Sequence, residues 1–278
     1  MDRLPATIGA TDQEHPISDM LPFVADLAAE HADLDRLVTA LDIDTWGEVT
    51  PAEPWTILDQ ISHLAYFDER AAVSVTDPDR FRSEMNADLA GGMEQFIQAP
   101  LLRGRDIGPS GVLAWWRTAR SALLESFRGA DPDAKVPWYG PDMKASSSAV
   151  ARLMETWAHG QDIADALGIR RAPTDRLRRI AELGVKTFSW SFLNRGIDVP
   201  GERVRVALRG PSGGMWVWND EAAASVTGPA DEFCLVVTQR RHIDDTHLVV
   251  EGDVARRWME VAQVFAGPPG PGRRPQTG

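Results

Sequence analysis

Cysteine is nearly absent from this chain: Cys234 is the single thiol in 278 residues, so no intrachain disulfide can form. Such usage suits a reducing compartment. No stretch approaches the ~18 to 20 consecutive apolar residues needed to cross a bilayer. The N-terminus, MDRLPATIGATDQEHPISD, has neither the basic start nor the apolar run of a signal peptide. The cytoplasm is therefore the expected location. Basic charge is also short. Twenty-nine Lys and Arg stand against 41 Asp and Glu, giving a formal charge of −12 and a pI of about 5.0. An acidic surface repels phosphate backbones and anionic lipid, so neither nucleic acid nor a membrane is an expected partner. Tyrosine is limited to two residues, whereas there are ten tryptophans, each a large source of buried area. The 43% apolar and 25% charged residues are globular values, and the length exceeds one typical domain without reaching three.

Residues 1–17 read as a flexible tail. From Asp19 to Leu41, Leu21, Val24, Leu27, Leu34, Leu37 and Leu41 recur close to helical spacing. Pro51 and Pro54 precede a second helix beginning at WTILDQ. Thr56 is its candidate N-cap, and Asp59, shorter than the usual Glu, completes the capping box only weakly. This helix ends before Asp77–Pro78. A helical segment over 79–98 is interrupted at Gly91–Gly92. After RGRDIGPSG comes the amphipathic helix VLAWWRTARSALLESFRG, stopped at Gly129. A loop, DPDAKVPWYGPDMKASS, leads to SSAVARLMETWAHGQDIADAL, which stops at Gly168. Four such helices over residues 18–171 predict a four-helix bundle.

Residues 172–266 predict a small α+β domain. A helix over about 174–192 precedes RVRVALRG and MWVWND, two alternating segments joined by the turn at Pro211–Gly214. SVTGPADEFCLVVTQ reads as a strand running into a helix, THLVVEGD as a strand, and VARRWMEVAQVFA as the last helix. Residues 267–278, GPPGPGRRPQTG, are rich in Pro and Gly and read as a disordered tail.

Polar residues inside apolar helical faces are the candidate chemistry. His63 lies between Ile61 and Leu64 on the second helix, with Asp59 one turn earlier. On the fourth, Glu155, His159 and Asp162 stand at i, i+4 and i+7, within about 60° of one another at roughly 100° per residue. Two imidazoles and one carboxylate form a recurrent ligand set for zinc and iron, and three protein ligands leave a position open to water or substrate. The competing reading is bland: i,i+4 Glu–His pairs are common on solvated helices. Asp59 and Asp162 suit the task of accepting a ligand histidine's spare N–H, and Asp162 could be a fourth ligand. Arg152, one turn before Glu155, could meet a substrate carboxylate or be a solvated helix arginine.

PAEPWTILDQISHLAYFDE resembles the second-helix motif of the DinB-like superfamily. METWAHGQDIADALG resembles the fourth-helix motif of the branch containing mycothiol-dependent maleylpyruvate isomerase. Across roughly residues 19–274 the chain is similar to an actinobacterial subgroup labelled wyosine-base-formation-like. The resemblance implies a divalent metal, zinc, held by His63, Glu155 and His159, while a His/carboxylate donor set by itself also accepts iron, nickel or manganese. It also implies a DinB-like bundle followed by a C-terminal domain loosely similar to the sterol-carrier-like one of the isomerase.

The leading functional reading is a metal-dependent enzyme that uses a low-molecular-weight thiol such as mycothiol for isomerisation or S-transfer on a small molecule. One alternative is a thiol-independent hydrolase, lyase or cyclase. Another is a metal- or lipid-binding protein whose C-terminal domain encloses a ligand among Trp190, Trp216, Trp218 and Trp258. The chain is expected to be a monomer or homodimer. Weaker candidates are a second metal site at His242 and His247 with Asp244–Asp245, and an anion contact at Gln239–Arg241. Cys234 lies in an apolar run and reads as an inert buried thiol. GPSGG at 210–214 is a turn, since no Lys or helix start follows it.

Overall fold

Thr56 opens the helix that carries His63, and its cap is fuller than the sequence suggests. Its side chain accepts the Asp59 N–H while the Asp59 carboxylate accepts the Thr56 N–H, so both halves of the capping box are made. This helix, α2 (Ile57–Thr76), belongs to a bundle with α1 (Leu21–Thr39), α3 (Pro78–Leu89), α4 (Met93–Arg128) and α5 (Ala145–Ala166). The computed structural model describes residues 19–276, so the expected flexible tail over 1–17 lies outside the described residues. α3 starts on Asp77, whose side chain accepts the Arg80 N–H, and Gly92 at φ 86° separates it from α4.

RGRDIGPSG does not separate two helices by a loop. Helix runs up to Gly108 and restarts immediately, with that one residue at φ 68°. Pro109 follows; its fixed φ and missing N–H suit a first helical turn. Within the following loop, β1 (Lys135–Val136) and β2 (Met143–Lys144) form a short antiparallel pair. α2 and α4 approach closely at Gly104, where a Cβ would stand 1.9 Å from Ser62 Oγ.

Beyond the bundle, one helix over 174–192 is replaced by two, α6 (Leu177–Lys186) and α7 (Phe188–Leu193). Thr187 sits at the break, its hydroxyl donating back to the carbonyls of Leu183 and Gly184, a pattern that bends helices. The expected hairpin forms between β3 (Val204–Arg209) and β4 (Met215–Trp218), with Leu208 opposite Trp216. β5 (Ala224–Pro229) pairs parallel to β3 and antiparallel to β6 (Val249–Glu251), giving the order β4-β3-β5-β6. α8 (Ala230–Val237) and α9 (Asp253–Val261) complete the α+β part. Its core joins Phe233, Val237 and Trp258 to Met154, Trp157 and Ala158 of α5. The segment from Gly267, expected to be disordered, runs on as irregular chain as far as Gln276; Arg273 donates to the Pro51 carbonyl and to Asp162. No helix among the described residues is long and apolar enough to cross a membrane.

One fully buried carboxylate ties four helices together. Asp68 on α2 accepts from Arg152 Nε of α5 at 2.9 Å and from Trp116 Nε1 of α4 at 3.1 Å. His31 Nε2 of α1 lies 3.5 Å away. Burial alone would raise the Asp68 pKa, but Arg152 and His31 outweigh it and hold the carboxyl below its ordinary value. The stability this contributes is present above the ordinary carboxylate range and is lost as pH falls through the depressed value. Asp68→Ala strands the Arg152 guanidinium and is expected to cost about 3–5 kcal/mol in urea unfolding followed by tryptophan fluorescence. A loss below about 1 kcal/mol, the range of exposed ion pairs, would show that the carboxylate is not the bundle's anchor.

Candidate metal centre

α2 and α5 pack so that His63, Glu155 and His159 meet. Glu155 Oε2 lies 3.1 Å from His159 Nε2 and 3.7 Å from His63 Nε2. One candidate donor atom from each residue lies within 4.8 Å of the other two. Among the described residues this is the one His/Cys/Asp/Glu group that could hold a metal. The donor chemistry fits a divalent cation such as zinc: two imidazole nitrogens and one carboxylate oxygen face a common point. The side chains of His63 and Glu155 remain 16% and 22% exposed, so the point can be reached from solvent. Trp55 walls the site, stacked on His159 at 5.9 Å and tilted against His63 at 5.1 Å. Phe67, one turn beyond His63, packs on the other side of that ring at 4.5 Å.

The residues expected to support the ligands are engaged elsewhere. Asp59 is consumed by the Thr56 cap and by Arg105, which reaches it from α4 with two 2.9 Å bonds. Asp162 is fully buried and paired with Arg240 at 2.8 Å and Arg273 at 2.6 Å. Both aspartates are neutralised by arginines that arrive from distant sequence. Neither bonds an imidazole, and Asp162 does not join the ligand cluster. The position facing His159 Nδ1 is taken instead by Gln60 Oε1. Gln60 and Trp55 were not singled out from the sequence; each is one more polar or aromatic residue near a helix start. Arg152 is 3% exposed and its Nε bonds Asp68, so it is not a solvated arginine; its Nη2 is buried without a hydrogen-bond partner among the described residues.

Outside this centre, His242 pairs with Asp244 and His247 with Glu232, and the two histidines join no shared cluster. Arg240 is held by Asp162 and the Ala158 carbonyl, and Arg241 lies 3.5 Å from Asp165. Cys234 is buried and its thiol pKa is pushed well up by burial, in keeping with an inert core position. Trp216 and Trp258 are packed into the core, while Trp190 is 39% exposed and donates to the Phe265 carbonyl. A cavity of about 350 Å³ opens between α5 and the C-terminal part beside Trp157, Arg171 and Arg241, and the three candidate ligands do not line it.

Residues 27–164 match the family model of the mycothiol maleylpyruvate isomerase N-terminal domain. The uncharacterised proteins Rv0036c and MT0041 of Mycobacterium tuberculosis are 46% identical over 258 residues, spanning 92% of this chain and the whole of theirs. Two crystal structures of the mycothiol-dependent maleylpyruvate isomerase, one of them a mutant, align with a TM-score of 0.54. They cover 80% of this chain and 89% of that one at 17% and 18% identity, a likeness of fold. The chain belongs to the mycothiol maleylpyruvate isomerase N-terminal domain family.

Burial, reinforced by the adjoining His159 ring, lowers the His63 pKa from 6.5 to about 4. Burial works in the opposite direction on Glu155, but its contacts with His159 and His63 prevail and hold it well below 4.5. Both shifts have the same consequence. The unfolded chain takes up protons that these folded groups resist, so stability is full above pH 6.5 and is lost on acidification. For His63 the window runs from 6.5 down to about 4, worth about 3 kcal/mol at 1.36 kcal/mol per pKa unit. Metal-free protein is therefore expected to melt at falling temperature across that window, and His63→Ala should flatten the profile. Superimposable profiles for the two proteins would show that His63 is not held neutral.

Proposed function

We propose that this chain is a metal-dependent enzyme that uses a low-molecular-weight thiol such as mycothiol to isomerise a small electrophilic metabolite, or transfers that thiol onto it as a stable adduct. The observation carrying this reading is the convergence of His63 Nε2, Glu155 Oε2 and His159 Nε2 at a point still open to solvent. Family membership supports the thiol. A divalent cation held there would stabilise a thiol as thiolate at neutral pH. One carboxylate against a doubly charged ion leaves the centre net positive, which favours an anionic sulfur over a neutral ligand. Zinc suits this donor set best, with iron, nickel and manganese also compatible.

The chain's own groups do the rest. His63, neutral near pH 7, offers a lone pair without first losing a proton. Trp55 and Phe67 shield the two imidazoles from water on the flanks and leave apolar surface for a small substrate. Arg152 spends its Nε on Asp68 and keeps a buried Nη2 without a partner among the described residues, which leaves it as the candidate counter-charge for a substrate carboxylate.

Two measurements test this reading. Zinc at about 100 times its dissociation constant should stabilise the protein by about 2.7 kcal/mol, and the gain should vanish in His63→Ala and Glu155→Ala. Zinc-loaded protein given maleylpyruvate should turn it over only when mycothiol is present, and chelation should abolish that turnover. Equal rates with and without the thiol would remove the thiol chemistry and leave a metal hydrolase or lyase. An unchanged melting temperature with zinc would remove the metal.

A further inference from the structure

The hydrogen-bond chain behind His159 decides which of its nitrogens faces the centre. Thr50, 1% exposed, donates its single hydroxyl proton to the Trp55 carbonyl at 2.8 Å. The same Oγ1 also accepts from the Ala52 N–H at 3.3 Å. With its proton spent, Thr50 Oγ1 can meet Gln60 only as an acceptor, and Gln60 Nε2 donates to it at 2.8 Å. The Gln60 amide is fully buried, and turning it over would take the Thr50 hydroxyl proton away from the Trp55 carbonyl. Its Oε1 must therefore face His159 Nδ1, and an amide oxygen can only accept. The proton of His159 is fixed on Nδ1, and the Nε2 lone pair is left facing Glu155 Oε2 at 3.1 Å.

From this we infer that Gln60, oriented by Thr50, is the positioning residue of the centre. It locks His159 in the tautomer that presents Nε2 to a cation. In that tautomer the Nε2 lone pair and Glu155 Oε2, 3.1 Å apart, both face the point a cation would take. His63 is treated differently: its Nδ1 is buried with no hydrogen-bond partner among the described residues, and its ring is held by packing against Trp55 and Phe67. The partner of His159 is also neutral. A carboxylate in that place would raise the basicity of the imidazole and drain charge from the ion; the amide orients the ring and leaves the ion more electrophilic.

This inference rests on the metal half of the proposed function and is independent of the thiol. It is tested by zinc affinity, measured by competition with a chromophoric chelator, together with ¹⁵N NMR of the histidines in metal-free protein. Gln60→Leu, which removes the acceptor toward Nδ1, should weaken zinc binding about 10- to 100-fold. Thr50→Val, which frees the amide to turn while keeping it in place, should also weaken binding. In the NMR spectrum His159 should be the Nδ1–H tautomer in wild type and a mixture in Thr50→Val. A residue that served only packing would lower the metal-free melting temperature without moving either readout. Wild-type zinc affinity in Gln60→Leu, or an Nε2–H tautomer in the wild type, overturns the inference while the metal centre stands. Absence of zinc binding in the wild type overturns the metal reading itself.

Discussion

The candidate centre depends on a helix packed on two sides. α5 buries Met154, Trp157 and Ala158 in the core it shares with the C-terminal part, and Arg152, Thr156 and His159 are buried within the bundle. A helix clamped on both sides cannot rotate, so Glu155 and His159 are delivered to α2 at fixed angles. Ionic contacts reinforce the clamp. Glu30 of α1, 2% exposed, is gripped by Arg171 and Arg176, while Asp162 of α5 is gripped by Arg240 and Arg273. The C-terminal part thus acts as the back wall of the centre even though it supplies none of the three candidate ligands.

The centre itself follows a consistent electrostatic logic. Negative charge in the bundle interior is neutralised by arginine wherever no cation is wanted: Asp59 by Arg105, Asp68 by Arg152, Asp162 by Arg240 and Arg273. Glu155 is different. Its close partners are two imidazoles, one of them held neutral by burial at ordinary pH. No arginine is paired with this carboxylate among the described residues, which leaves it to a cation and separates it from the three aspartates.

Much of this was legible in the sequence. Helical spacing put Glu155 and His159 on one face, the α2 cap was visible in Thr56 and Asp59, and the family motifs brought His63 to them. The β3–β4 hairpin was readable from alternation around a Gly-rich turn. What escaped was long-range. The arginines that claim Asp59 and Asp162 come from 46, 78 and 111 residues away, so the two aspartates looked free when they were not. Gln60 carried no signal, because its role depends on Thr50 ten residues earlier and His159 ninety-nine residues later. The breaks at Gly108 and Thr187 depended on local backbone bonding finer than periodicity records.

X-ray absorption at the zinc edge of the metal-loaded protein tests the central claim most directly, because it reports the donor atoms without any assumption about substrate. The expected result is an all-light-atom shell with two imidazoles, at Zn–N of about 2.0–2.1 Å, and the multiple scattering of one ring lost in His159→Ala. A shell containing protein sulfur, or one without imidazole scattering, would contradict it.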